Sequence, residues 1–165
     1  STPLLFLDEP GLYTFNPKSQ TQLVELRELD FVASALRRRG ALVGVHCCGN
    51  TDWASLARLN LDFISADARL SLGAILATGA TFDSYLARGG WLGLGIIPTS
   101  STQRTPPMDL AAAALAQLGD KRPSILARTI LSPACGLALR TVAESEQILD
   151  DLREAQDLIR GAAGR

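Results

Sequence analysis

Apolar residues fall along this chain in two alternating rhythms. Short, largely apolar runs at residues 3–7, 41–45, 62–67, 91–97 and 126–131 have the length and composition of strands in a parallel sheet, buried on both faces. Between them the period lengthens. Over residues 19–39, Leu23, Leu26, Leu29, Val32, Ala33 and Leu36 recur with charges between them, the spacing of an amphipathic helix, and Gly40 follows as a C-cap. Further helices are predicted over 51–58, opened by Thr51-Asp52-Trp53, over 72–88 with a break at Gly79, over the Ala-rich 108–118, and over 142–160. Residues 8–11, 98–107 and 133–136 carry the Pro, Gly and polar residues of loops.

Strand and helix therefore alternate five times with short connections, which argues for parallel βαβ units. No glycine fingerprint for a nucleotide follows any strand: Gly93-Leu94-Gly95 lies inside a predicted strand and no Lys follows it. A doubly wound nucleotide fold loses ground to a (β/α) barrel, whose chemistry sits at the C-terminal ends of the strands.

Composition narrows the class. At 165 residues, 47% hydrophobic and 20% charged, the chain is one domain's worth of globular protein. Its net charge is −1, and its only basic cluster, Arg37-Arg38-Arg39, closes a predicted helix, so no nucleic-acid partner is expected. No apolar run reaches the roughly 18 residues that span a bilayer, and the first residues lack a charged segment followed by an apolar one, so the expectation is a soluble cytoplasmic protein without a membrane partner. Three cysteines, an odd number, suit ligands, nucleophiles or core residues in a reducing compartment rather than a disulfide framework. A chain that opens at Ser1 and reaches a strand within two residues is expected to be a piece of a longer protein.

The candidate chemistry gathers at strand ends. The stretch Val45-His46-Cys47-Cys48-Gly49-Asn50 holds the only histidine and two of the three cysteines. Residues 46 and 48 lie two apart on an extended chain and share a face, while Cys47 points away toward a core. Asp8 and Glu9 end the first strand, Asp67 the third, and Cys135 follows the fifth. One imidazole, two thiolates and a carboxylate oxygen, from His46, Cys48, Cys135 and Asp67, suit tetrahedral zinc. Each residue also has a plain structural reading. Buried cysteines act as small hydrophobes, Asp67 can cap a helix, Cys135 can pack behind Pro133, and Asp8-Glu9-Pro10 can be a solvated turn. Arg104 and Arg140 are read as facing solvent, with carboxylate binding as the alternative. What sets the group apart is that all its members fall at the same end of successive strands.

Four segments, Leu7-Asp8-Glu9-Pro10, His46-Cys47-Cys48-Gly49-Asn50, Asp62-Phe63-Ile64-Ser65-Ala66-Asp67 and Ser132-Pro133-Ala134-Cys135-Gly136-Leu137, resemble in this order the catalytic barrel of cobalamin-independent methionine synthase. The wider superfamily includes uroporphyrinogen decarboxylase and corrinoid-dependent methyltransferases. The resemblance implies a TIM-type (β/α)₈ barrel of which residues 1–165, as the C-terminal part of a single domain, supply roughly strands four to eight. It implies a zinc ion held by His46, Cys48 and Cys135, with Asp67 where the methionine synthases carry Glu, and Asp8, with Glu9 beside it, at the ammonium of an amino-acid substrate. The implied activity is methyl transfer to a thiol such as homocysteine, as in methionine biosynthesis, from methyltetrahydrofolate or a methyl-corrinoid. The alternatives are a decarboxylase that needs no metal, and a non-catalytic corrinoid- or metal-handling barrel fragment. With three strands missing, self-association or docking of an upstream half-barrel is expected at the open sheet edges.

Overall fold

The computed structural model describes residues 2–99 and 104–163. Its five strands are β1 (Leu4–Asp8), β2 (Leu42–Cys47), β3 (Phe63–Asp67), β4 (Trp91–Ile97) and β5 (Thr129–Pro133), all parallel and lying in the order β1-β2-β3-β4-β5. Among the described residues seven α-helices connect and follow them: α1 (Gln20–Arg37), α2 (Trp53–Arg58), α3 (Ala68–Ala77), α4 (Ala80–Ala87), α5 (Pro107–Leu118), α6 (Arg122–Leu126) and α7 (Val142–Ala163). Among the described residues no helix is long and apolar enough to cross a membrane.

Strands laid down one beside the next, each return being right-handed, place their connecting helices on one side of the sheet. The packing agrees. Val43, Val45 and Cys47 of β2, Ile64 and Ala66 of β3, and Leu92, Leu94 and Ile96 of β4 form one buried cluster with Ala33, Leu56, Leu72, Ile75, Tyr85, Ala111, Leu115 and Ala155 from the helices. The opposite face belongs to the alternate residues. There Phe6, Gly44, Phe63 and Trp91 share one row of the register, with ring centroids 5.9 Å apart for Phe6–Phe63 and 6.1 Å for Phe63–Trp91. Gly44 is the reason the rings can meet: a Cβ there would lie 2.5 Å from the Phe6 ring and 2.8 Å from Phe63 Cβ. Toward the C-terminal ends this same face turns polar, through Asp8, His46 and Ser65, which lie in one row, and then Asp67.

Several predicted boundaries move. The fifth strand, expected over 126–131, runs Thr129–Pro133 instead, because Pro123 starts a short helix that carries Ile125 into the core, 1% exposed. The third helix starts at Ala68 rather than at 72, since Asp67 caps it, and the break falls at Thr78–Gly79 as the pattern suggests. A 3₁₀ turn at Pro10–Thr14 occupies what reads as plain loop. Of the polar loop expected over 98–107, residues 100–103 lie outside the described residues.

Candidate metal centre

His46 is the penultimate residue of β2, Cys48 follows its end, and Cys135 lies two residues beyond β5. A flat sheet would hold β2 and β5 about 14 Å apart, three strand spacings of ~4.8 Å. Two cysteine side chains do not bridge such a gap. Here Cys48 Sγ and Cys135 Sγ are 3.1 Å apart, and His46 Nε2 is 3.0 Å from Cys48 Sγ. The sheet's twist and curl close part of the distance, and a register irregularity between Gly95 and Ile97 closes more, turning the chain after β5 inward. Ala134 N donates to Ile97 O at 2.8 Å and pins the turn. Gly95 makes room for it: a Cβ at that position would lie 2.6 Å from Ala134 Cα, 3.0 Å from Ala66 O and 3.2 Å from Pro133 O.

The result is a group in which the three donor atoms of His46, Cys48 and Cys135 lie within 4.8 Å of one another. Their chemistry fits zinc. Two thiolates and an imidazole are donors that zinc shares with other soft or borderline metals, and three protein ligands would leave a fourth coordination position open. Tetrahedral zinc with bonds near 2.3 Å to sulfur sets an S···S edge of ~3.8 Å, so the two sulfurs would part by several tenths of an ångström on binding.

Residues around the group set its protonation. Burial depresses the His46 pKa below the usual 6.5, against the pull of the Asp8 and Asp67 carboxylates, and so favours the neutral imidazole that a metal needs. Ser65 Oγ sits 3.0 Å from Nδ1, its partner across the β2–β3 register, and leaves Nε2 turned to the sulfurs. The motifs alone do not single out Ser65; the register of two parallel strands does. Cys48 is exposed at the surface, but the partial loss of water around its sulfur and the adjoining Cys135 thiol push its pKa up to about 12. Cys47 is 2% exposed in the core, its thiol donating to Gly49 O at 3.4 Å, as alternation predicts.

Two of the expected residues stand apart from the group. Asp67 Oδ1 accepts from Arg69 N at 2.8 Å and Oδ2 lies 3.6 Å from the Arg69 guanidinium, so its carboxylate is committed to the start of α3 and is absent from the donor cluster. Glu9 follows the strand's alternation to the other side, where it lines a groove against α1 with Leu12, Glu25 and Leu29, whereas Asp8 pairs with His46 in the register. Arg104 stays exposed, as expected, with 57% of its side chain open to solvent, while Arg140 is half-buried. They line a cavity of about 530 Å³ beside α7, Arg104 gripping both oxygens of Asp151 and Arg140 lying 4.0 Å from Glu144.

Fold and site together define a parallel, singly wound α/β protein with a His/Cys/Cys cluster at the C-terminal edge of its sheet. No protein-family model matches this chain, and no curated protein matches it.

Proposed function

We propose that this chain is the zinc-binding part of a (β/α)₈ barrel that transfers a methyl group to a thiol, in the manner of the methionine synthases. The observation that carries the reading is the triangle of His46, Cys48 and Cys135 at the C-terminal ends of parallel strands. The one-directional strand order supports a barrel: all helices line one face of the sheet, and the other, which in a barrel becomes the interior, carries the candidate residues. In this reading His46, Cys48 and Cys135 hold the ion, and Asp67 supports the scaffold as a helix cap.

Zinc in that position would lower the pKa of a coordinated substrate thiol from ~8.5 into the neutral range and leave its sulfur nucleophilic. The chain's own residues do the rest. The two cysteine thiolates offset the charge of the ion, so the substrate sulfur keeps electron density for attack. Ser65 holds the imidazole in one orientation. Asp8, exposed and paired in register with His46, presents a carboxylate at the distance of a neighbouring strand, suited to the ammonium of a homocysteine-like substrate. A methyltetrahydrofolate or methyl-corrinoid donor would approach over the remaining strands, in line with the sulfur.

X-ray absorption at the zinc edge tests the reading without needing turnover. The zinc-loaded protein should show two sulfur neighbours, and addition of homocysteine should raise the count to three. A count that stays at two would refute thiol activation at this centre. Methyl transfer to homocysteine, with the upstream half-barrel supplied as a separate chain, is the matching functional assay.

A further inference from the structure

The same two sulfurs that would hold zinc are closer than a metal requires. Cys48 Sγ and Cys135 Sγ stand 3.1 Å apart with no bond between them, about 1 Å beyond the ~2.05 Å of a disulfide. Both residues are exposed, and Cys135 belongs to the turn beyond β5 rather than to a strand, so a small rotation of its side chain closes the gap. The third cysteine is out of reach: Cys47 is buried on the helix-packed face with its thiol held at Gly49 O. The chain therefore offers a single internal pairing.

We propose that Cys48 and Cys135 form a peroxide-sensitive modification site, in which oxidation to a disulfide and binding of the metal are mutually exclusive states. Hydrogen peroxide is the oxidant. Attack by one sulfur on the peroxide O–O bond gives a sulfenic acid and releases one water. The second sulfur then attacks the sulfenic sulfur, forms the S–S bond and releases a second water. Two thiols lose two electrons and two protons in all, and the peroxide gains them. The disulfide removes two of the three ligands, and His46 alone cannot retain the ion. A dithiol reductant reverses the bond by exchange and restores the site. Coupling of oxidation to metal loss rests on the zinc reading; formation of the disulfide does not.

The test uses the whole chain, reduced, in zinc-free and zinc-loaded forms. Cys47 and Cys48 share one tryptic peptide, since no Lys or Arg separates them, so mass mapping is done on the Cys47→Ser variant as well as on the unsubstituted protein. Stoichiometric peroxide should link the Cys48 peptide to the Cys135 peptide within one chain in both proteins. Dithiothreitol should abolish the link, and the zinc-loaded form should release one zinc per link to a chromogenic chelator. In Cys135→Ser the link should vanish, and no other link within the chain should take its place. Linkage between chains, linkage through Cys47, or sulfinic acid on Cys48 with Cys135 intact would each overturn the proposal. An intramolecular link that forms in the metal-free protein while the reduced protein binds no zinc would leave the modification site standing and refute the metal reading.

Discussion

His46 illustrates how few atoms decide the centre. Its ring is half-buried between the Ser65 hydroxyl on one nitrogen and the Cys48 sulfur on the other, and burial keeps it neutral below the ordinary histidine pKa. Above pH 6.5, then, no proton on this ring competes with a metal. The Cys48 thiol, pushed up to about 12, does hold its proton in the metal-free protein, and binding must release it. Zinc affinity should therefore rise at least about tenfold per pH unit from pH 7 to 9, with at least one proton released per ion; a flat profile in a chelator competition titration would contradict that thiol state. Loss of the Ser65 hydroxyl frees the ring to turn. Ser65→Ala should weaken zinc binding by about 10- to 100-fold, and Ser65→Thr should largely restore it. Asp67→Ala should do the opposite of a ligand mutation: zinc affinity within a few-fold of the parent, and about 1 kcal/mol lost from folding because α3 loses its N-cap, read by thermal melting with zinc titration alongside.

At the scale of elements, the centre depends on how the end of β5 meets β4. Gly95 admits Ala134 against the strand with backbone on three sides, and Cys135 is the next residue. A methyl group at Gly95 meets main chain that cannot swing aside. Gly95→Ala should push the turn outward, weaken zinc binding tenfold or more, and cost about 1–3 kcal/mol from the forced shift. Gly44→Ala is the control, since its new methyl would meet the Phe6 ring and Phe63 side chain in the aromatic row instead. It should lower stability by a similar amount while leaving zinc affinity nearly unchanged. Equal loss of zinc in both variants would show that general loosening, not delivery of Cys135, is responsible.

Across the whole molecule the sheet ends in two bare edges. In the described residues β1 and β5 each pair on one side only, and Leu4, Leu5 and Phe6 on one edge and Ile130 on the other are 40–46% exposed. Parallel strands with unpaired N–H and C=O groups and apolar side chains are templates for further pairing. The isolated chain should therefore sediment with a concentration-dependent mass, and Leu5→Lys with Ile130→Lys should shift it toward the monomer. Concentration-independent monomer behaviour of the unsubstituted chain would mean that these edges are quiet and that the half-barrel reading needs another explanation.

The alternation of short apolar runs with amphipathic segments was enough to reveal five parallel strands and the side of each on which the chemistry falls, because a period of two and a period of 3.6 are local properties of the chain. The same locality identified Cys47 as core and His46 with Cys48 as companions. It failed where neighbours in space decide. The run at 126–131 reads as strand throughout, yet Leu126 closes α6, whose Ile125 is buried against the helical layer, and the strand begins only at Thr129. Asp67, at a strand end, reads locally as either a helix cap or a ligand; in the fold its Oδ1 caps α3 while its carboxylate still pulls on the His46 pKa. Glu9 looked like a partner of Asp8, but adjacent residues of a strand face opposite ways, and the register puts only Asp8 beside His46. Sequence alone determined which residues stand at the ends of strands; the curl of the sheet, the bulge at Gly95 and the register of β2 on β3 decided which of them touch, because contacts across 87 positions of chain depend on packing that no local pattern encodes.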